Sequence, residues 1–250
     1  MYALRVKVAI YQAPLLPSGS MAALNLIRDQ VRVCEAAGVA ILCSPEAILG
    51  GLADDAIEPA AFAIAAQGDE LQRVLAPLAS DTVTTIVGFT EIDRAGRFFN
   101  AAAVFHQAKV LGRYRKLHPA INRSIYSPGE SMPVFSVGTL TFGVIICNDS
   151  NYEEPVTVMA SRGAAAVFVP SNNGMPAGKG GRELVAIARD VDRTYAMNHG
   201  ITMIRADVAG ESEGRVSYGS SGIVSRAGRV LAAGPPLVPA LLIAEIDPAT

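Results

Sequence analysis

Short apolar runs recur along the chain, each cut off by proline, glycine or a polar cluster. From Leu4 to Gln12 (LRVKVAIYQ) polar and apolar residues first alternate and then run apolar, which predicts an opening strand broken by Pro14 and Pro17. Leu24, Ile27, Val31 and Cys34 then return at helical spacing between Ser20, a candidate cap, and Gly38, a stop. This predicts a helix to about Ala37 with Cys34 facing the core. Val39 to Leu42 reads as a short buried strand ending at Cys43-Ser44-Pro45-Glu46, and a second helix is expected from about Asp69 to Ala79. Thr84 to Ile92, Phe98 to Gln107 and Val110 to Leu117 form a predicted meander, turning at Arg94-Ala95-Gly96 and at Ala108-Lys109. Pro133 to Val137 and Thr139 to Ile146 are the next strand pair. A helix from Glu153 to about Arg162, a strand from Ala164 to Val169, a glycine-bearing loop to Gly181 and a helix from Arg182 to about Asn198 follow. Ile201 to Ala206, Gly222 to Ser225, Val230 to Ala233 and Leu241 to Ile246 are the closing strands. Helices alternate with strands early and late, with hairpins between, so the expectation is a mixed-sheet α/β domain spanning residues 1–250. No linker or repeat divides the chain.

Composition narrows this picture. Half of the 250 residues are hydrophobic and 18% are charged, enough for a sizeable core, while 23 glycines and 15 prolines suit a loop-rich fold. A net charge of −2 gives no electrostatic case for nucleic acid or an anionic membrane as partner. The three cysteines and three histidines are scattered without metal-ligand spacing, so no zinc site is expected from them. The opening residues lack the apolar core of a signal peptide, and no 18-residue apolar run occurs. The expected setting is therefore the cytoplasm, with reduced thiols.

Candidate chemistry sits where predicted strands end, the usual place for sites in α/β sheets. Phe142 to Ile146 is a β-branched run that stops at Cys147, followed by Asn148, Asp149, Ser150 and Asn151, all turn-formers. Pro155 suits the first turn of the helix beyond, whose N-terminus would favour a thiolate. Taken alone, Cys147 reads either as a small buried hydrophobe or as a nucleophile. Glu46 reads either as a solvated loop residue or as its base, and Lys116 either as part of a basic edge or as the positive partner of an oxyanion. Nothing in the spacing supports a papain-like pairing of Cys147 with His118 or His199.

The order Ser44-Pro45-Glu46, Tyr114-Arg115-Lys116-Leu117-His118 and Gly143-Val144-Ile145-Ile146-Cys147-Asn148-Asp149 resembles the Glu-Lys-Cys triad of the nitrilase superfamily, the carbon–nitrogen hydrolases. Supporting stretches are Val6 to Gln12, Ser127-Pro128-Gly129, Arg162-Gly163-Ala164 with Val169-Pro170-Ser171, and Gly219-Ser220-Ser221 with Ala227 to Leu231. The resemblance implies a four-layer α-β-β-α sandwich, and a homodimer or larger homo-oligomer joined through helical faces. It also implies an amidase-type reaction: Glu46 as base, Cys147 as nucleophile, Lys116 with the Asn148 backbone N–H at the oxyanion, and a thioester intermediate without metal or organic cofactor. Asn122 stands where family members commonly carry a second glutamate, six residues before the Pro-Gly turn.

Asn122, Asn148, Asp149, Tyr152 and Asn172 are the candidate substrate contacts, Asp149 reading equally as a cap of the following turn. The expected substrate is a small molecule with an amide, N-carbamoyl or ω-amide group. Nitrile hydrolysis, transfer of the acyl group to another acceptor, and a silent binding protein of the same fold are the alternatives. Nitrilases of this family tend to follow the cysteine with Trp-Glu, whereas Asn148-Asp149 follows here.

Overall fold

The computed structural model describes residues 5–120, 122–179 and 181–248. The strands are β1 (Val6–Pro14), β2 (Ile41–Cys43), β3 (Ile64–Ala65), β4 (Thr84–Ile92), β5 (Phe98–His106), β6 (Lys109–Arg115), β7 (Val134–Val137), β8 (Leu140–Val144), β9 (Ala166–Pro170), β10 (Met175–Pro176), β11 (Thr202–Ala206), β12 (Val208–Ser212), β13 (Arg215–Tyr218), β14 (Gly222–Val224), β15 (Val230–Ala233) and β16 (Ala240–Ile246). The α-helices are α1 (Ala23–Ala37), α2 (Glu70–Leu75), α3 (Glu153–Ser161) and α4 (Arg182–His199). One sheet runs β10-β13-β12-β1-β2-β4-β5-β6, with β16 on β1 and β3 on β4; the other runs β15-β14-β11-β9-β8-β7.

Strand alternation sorts the core into layers. In β1, Val8 and Ile10 face the second sheet, while Ala9 and Tyr11 face α1. Ile27, Val31 and Cys34 of α1 and Leu71 and Leu75 of α2 pack on that outer face with Val87, Phe89 and Phe105. Phe142, Val144, Phe168 and Ile204 fill the layer shared with Val156 and Met159 of α3 and Ala196 of α4. Helices thus cover both outer faces of two packed sheets, the α-β-β-α sandwich expected from the sequence.

Most predicted elements appear with ends shifted by a residue or two, as helix and strand termini commonly are. Leu4, the expected start of the first strand, and Gly180 of the glycine-bearing loop lie outside the described residues. Pro14 does not break β1. It is the strand's last residue, opposite Ala209 in a parallel pair, where a missing N–H costs little. The hairpin of β12 and β13 was not legible in the sequence, because VAGESEGRVSY carries few apolar residues to mark a strand. Its turn residues Glu213 and Gly214 both have positive φ, a geometry suited to a tight hairpin. This hairpin joins the first sheet immediately after β11 leaves the second, so the chain crosses between sheets at Asp207.

Candidate active site

Four strand ends converge: β2 delivers Glu46, β6 delivers Lys116, β8 delivers Cys147, and β9 delivers Asn172 and Asn173. The Lys116 Nζ donates to Glu46 Oε1 at 2.6 Å, and both side chains are almost wholly buried. Asn100 Nδ2 donates to the same oxygen at 2.7 Å, and the Asn172 backbone N–H donates to Glu46 Oε2 at 3.0 Å. The Asn100 carbonyl also accepts from the Lys116 backbone N–H at 2.8 Å, so one residue of β5 positions both members of the pair.

The Glu46 loop is held close against β4. A Cβ on Gly88 would lie 2.4 Å from the Pro45 carbonyl oxygen and 2.5 Å from the Ala47 nitrogen. Backbone cannot yield as a flexible side chain can. Gly88→Ala is expected to shift Glu46 and lower kcat/KM by at least about tenfold, as displaced catalytic groups do. The measurement is steady-state kinetics beside a melting curve; parent-like kinetics would show that the loop absorbs the methyl group.

Cys147 opens a short 3-10 helix, Cys147–Asn151, with φ at +44°, a left-handed conformation unusual for a non-glycine residue. Asp149 braces this turn. Its carboxylate accepts from Tyr114 Oη at 2.7 Å, from the His118 backbone N–H at 2.7 Å and from the Ile146 backbone N–H at 3.0 Å. Asp149 is fully buried with both oxygens engaged by the protein. Of its two sequence readings the cap is the one this geometry forms.

Burial pushes the Cys147 thiol up to about 12, and the Glu46 carboxylate adds to the rise. Lys116, Arg205 and the Asn172 backbone N–H pull in the opposite direction. The resting sulfur is therefore a neutral thiol. The thiolate expected from the nearby helix start does not form at rest, because burial and Glu46 outweigh it. For Lys116, burial works against the charge, but the Glu46 carboxylate raises it above the ordinary lysine value, so the ammonium persists. The place of the family's second glutamate is filled neither by Asn122 nor by Glu130, the next carboxylate beyond the Pro-Gly turn. Asn122 lies on an exposed turn, Glu130 is exposed and acts on Arg115, and the further carboxylate acting on Lys116 is Asp149.

The other sequence candidates surround the turn. Asn148 Nδ2 donates to the His118 carbonyl at 3.1 Å, and its Oδ1 accepts from Asn151 at 2.8 Å. Tyr152 is 46% exposed and stacks on the His118 ring with centroids 3.7 Å apart. Among the described residues His118 Nε2 has no hydrogen-bond partner, and His199 pairs with Glu153 at 3.1 Å, so no hydrogen bond joins either ring to Cys147 there. Asn172 lines a cavity of about 250 Å³ together with Leu15, Leu16, Asp55, Glu213 and Arg215. Among the described residues no group of three His, Cys, Asp or Glu side chains could hold a metal ion.

Sequence reasoning missed a buried cation behind the nucleophile. Arg205 of β11 donates to both Asp192 oxygens at 2.8 and 2.6 Å, to Ser171 Oγ at 2.9 Å and to Ser150 Oγ at 3.1 Å. Ser150 Oγ donates to the Cys147 carbonyl at 2.7 Å, and the Ser171 carbonyl accepts from the Glu46 backbone N–H at 3.2 Å. The guanidinium thus ties the nucleophile turn to the base loop. A lone arginine in an apolar strand was the available signal. Replacing the pair together, Arg205→Met with Asp192→Leu, avoids stranding a buried charge. Loss of the cation should raise the Cys147 thiol further and slow its alkylation by iodoacetamide at pH 8 by about threefold or more. Parent-like labelling rates in a folded double variant would remove the electrostatic role.

Comparison with known proteins gives the family. The family model described as carbon-nitrogen hydrolase matches residues 7–250. An (R)-stereoselective amidase from Pseudomonas sp. is 30% identical over 212 residues, 84% of this chain and 74% of that protein. The glutamine-dependent NAD(+) synthetase of Thermotoga maritima is 26% identical over 88% of this chain, which spans only 38% of the synthetase. An amidase from Nesterenkonia sp. superposes with a TM-score of 0.83 at 24% identity, covering 100% of this chain and 94% of that one, a likeness of fold. With the family model covering nearly its whole length, the chain belongs to the carbon-nitrogen hydrolases, the nitrilase superfamily, and is an enzyme of that family.

Proposed function

We propose that this enzyme hydrolyses an amide-type C–N bond in a small molecule through a thioester on Cys147. The observation that carries this reading is the buried Lys116–Glu46 pair at 2.6 Å, with both groups acting electrostatically on the Cys147 sulfur. A neutral thiol needs a base at the moment of attack, and Glu46 takes that proton. The sulfur adds to the carbonyl carbon, and the oxyanion is met by the Lys116 ammonium and the Asn148 backbone N–H. That N–H lies in the first turn of the 3-10 helix, where backbone donors lack intrahelical acceptors. Glu46 then hands its proton to the leaving nitrogen, ammonia or an amine departs, and the thioester remains. Water activated by Glu46 releases the carboxylic acid and restores the thiol.

A cavity of about 250 Å³ lies beside Asn172, lined by leucines and by Asp55, Glu213 and Arg215, but not by Glu46, Lys116 or Cys147. Incubation with a panel of amides and N-carbamoyl compounds, reading ammonia, tests the proposal. Ammonia release without an added acceptor supports hydrolysis. Turnover only when an amine or hydroxylamine is added would assign the enzyme to acyl transfer, and no turnover with any member would refute the amidase reading.

The assembly is also part of this proposal. Ile187 and Met197 of α4 are 52% and 55% exposed on an outer helical layer, apolar area that a second copy would cover. Light scattering at micromolar concentration should give at least twice the 26.1 kDa chain mass, and a monomer mass would contradict the expected pairing.

A further inference from the structure

Asn173 was not among the residues singled out from the sequence, yet its side chain presents a fixed acceptor to the reacting sulfur. Its Nδ2 donates to Asp207 Oδ2 at 2.9 Å and to Ser220 Oγ at 3.1 Å. Ser220 Oγ spends its only proton on Asp207 Oδ2 at 2.7 Å, so towards Asn173 it can only accept. Asp207 is itself held by the backbone N–H groups of Asn173 at 3.0 Å, Val208 at 2.9 Å and Ser220 at 2.9 Å. Asp207 and Ser220 are buried, at the point where the chain crosses between the sheets. A flipped amide would set Oδ1 against a carboxylate oxygen and a hydroxyl lone pair, so the network determines the orientation. Oδ1 therefore faces Cys147, whose thiol donates to it at 3.8 Å.

We propose that Asn173 Oδ1 accepts a hydrogen bond from the substrate's amide nitrogen and so makes the site read an amide rather than a nitrile. The inference rests on Cys147 being the nucleophile of the proposed function. A carbon bonded to the sulfur carries its nitrogen within hydrogen-bond reach of an oxygen placed so close. An amide brings N–H donors to that oxygen. A nitrile nitrogen brings only a lone pair, leaving Oδ1 unpaired and facing like charge. The acceptor is occupied by the thiol at rest and becomes free when Glu46 takes the proton. As the leaving nitrogen gains a proton its N–H groups become stronger donors, so the bond tightens towards the transition state.

The test uses 2-chloroacetamide and chloroacetonitrile, which differ only in the group Asn173 would read. Each alkylates Cys147: the Sγ–C bond forms, C–Cl breaks, chloride departs and the thiol proton goes to Glu46. Mass spectrometry of the Cys147 peptide gives both rates on one preparation, so any unfolded fraction largely cancels in their ratio. In the parent, the amide-to-nitrile ratio should exceed that of free cysteine by about tenfold, the worth of one hydrogen bond. In Asn173→Ala it should fall by about tenfold from the parent value. Ser220→Ala, which lets the amide turn, should lower it by about threefold. An unchanged ratio in Asn173→Ala, or in Ser220→Ala should the first variant not fold, overturns the inference even if the enzyme hydrolyses amides. A ratio that falls in an enzyme releasing no ammonia would leave Asn173 in its role and remove the hydrolase reading.

Discussion

Cys147→Ala is expected to bring turnover to background, a loss of about a millionfold, with the fold intact. The sulfur is what is lost. The backbone at this position keeps its partners, since the Cys147 carbonyl accepts from Ser150 Oγ and Asp149 still caps the turn through Ile146. The positive φ at this residue is paid equally by cysteine and alanine, so the melting temperature should hardly move. Thiol labelling gives an independent check. Burial raises all three thiols, Cys34 and Cys147 to about 12 and Cys43 beyond that, so access rather than acidity ranks them. Cys34 and Cys43 are wholly enclosed, whereas Cys147 is partly exposed. Native alkylation should mark Cys147 first and stop activity at one label per chain. A Cys147→Ala variant retaining activity within a few-fold of the parent would end the thioester mechanism.

Lys116→Met should lower kcat/KM by about a hundred- to a thousandfold, the loss expected for one oxyanion donor. Two further effects point the same way. Lys116 opposes the rise of the Cys147 thiol, so its loss leaves the nucleophile harder to ionise. It also leaves the buried Glu46 with only Asn100 and the Asn172 N–H, an uncompensated charge costing about 3–5 kcal/mol of stability. Its neighbour provides the control. Arg115 points to the other side of β6, where it donates to both oxygens of Glu91 at 2.6 and 3.0 Å and lies over the Phe99 ring. Arg115→Met should therefore lower the melting temperature while leaving kcat/KM of the folded enzyme within about threefold of the parent. Equal rate losses at the two positions would mean that the basic run acts as a patch, not through Lys116 Nζ.

The sequence determined where strands end, because a buried strand shows itself locally as an apolar run stopped by polar turn-formers. Glu46, Lys116 and Cys147 were legible on that ground, with their order carrying the family resemblance. The helical stripe of α1 declared a buried face, whereas the four-layer sandwich was implied by the family resemblance. What joins those strand ends is not local. Asn100, Arg205, Asp192, Asn173, Asp207 and Ser220 look in sequence like ordinary polar residues, and only the closing of two sheets brings them together. Asp149 shows the limit most directly. Its side chain is equally able to meet a substrate or hold a backbone, and the packing of Tyr114 and the His118 backbone against it left both oxygens engaged. The state of the nucleophile was likewise a tertiary outcome. A helix start favours a thiolate, but the partial burial of Cys147 and the carboxylate beside it raise its thiol. Chain order carries the identity of the reacting groups, whereas their protonation, their distances and the direction each acceptor faces depend on contacts between residues far apart in the chain.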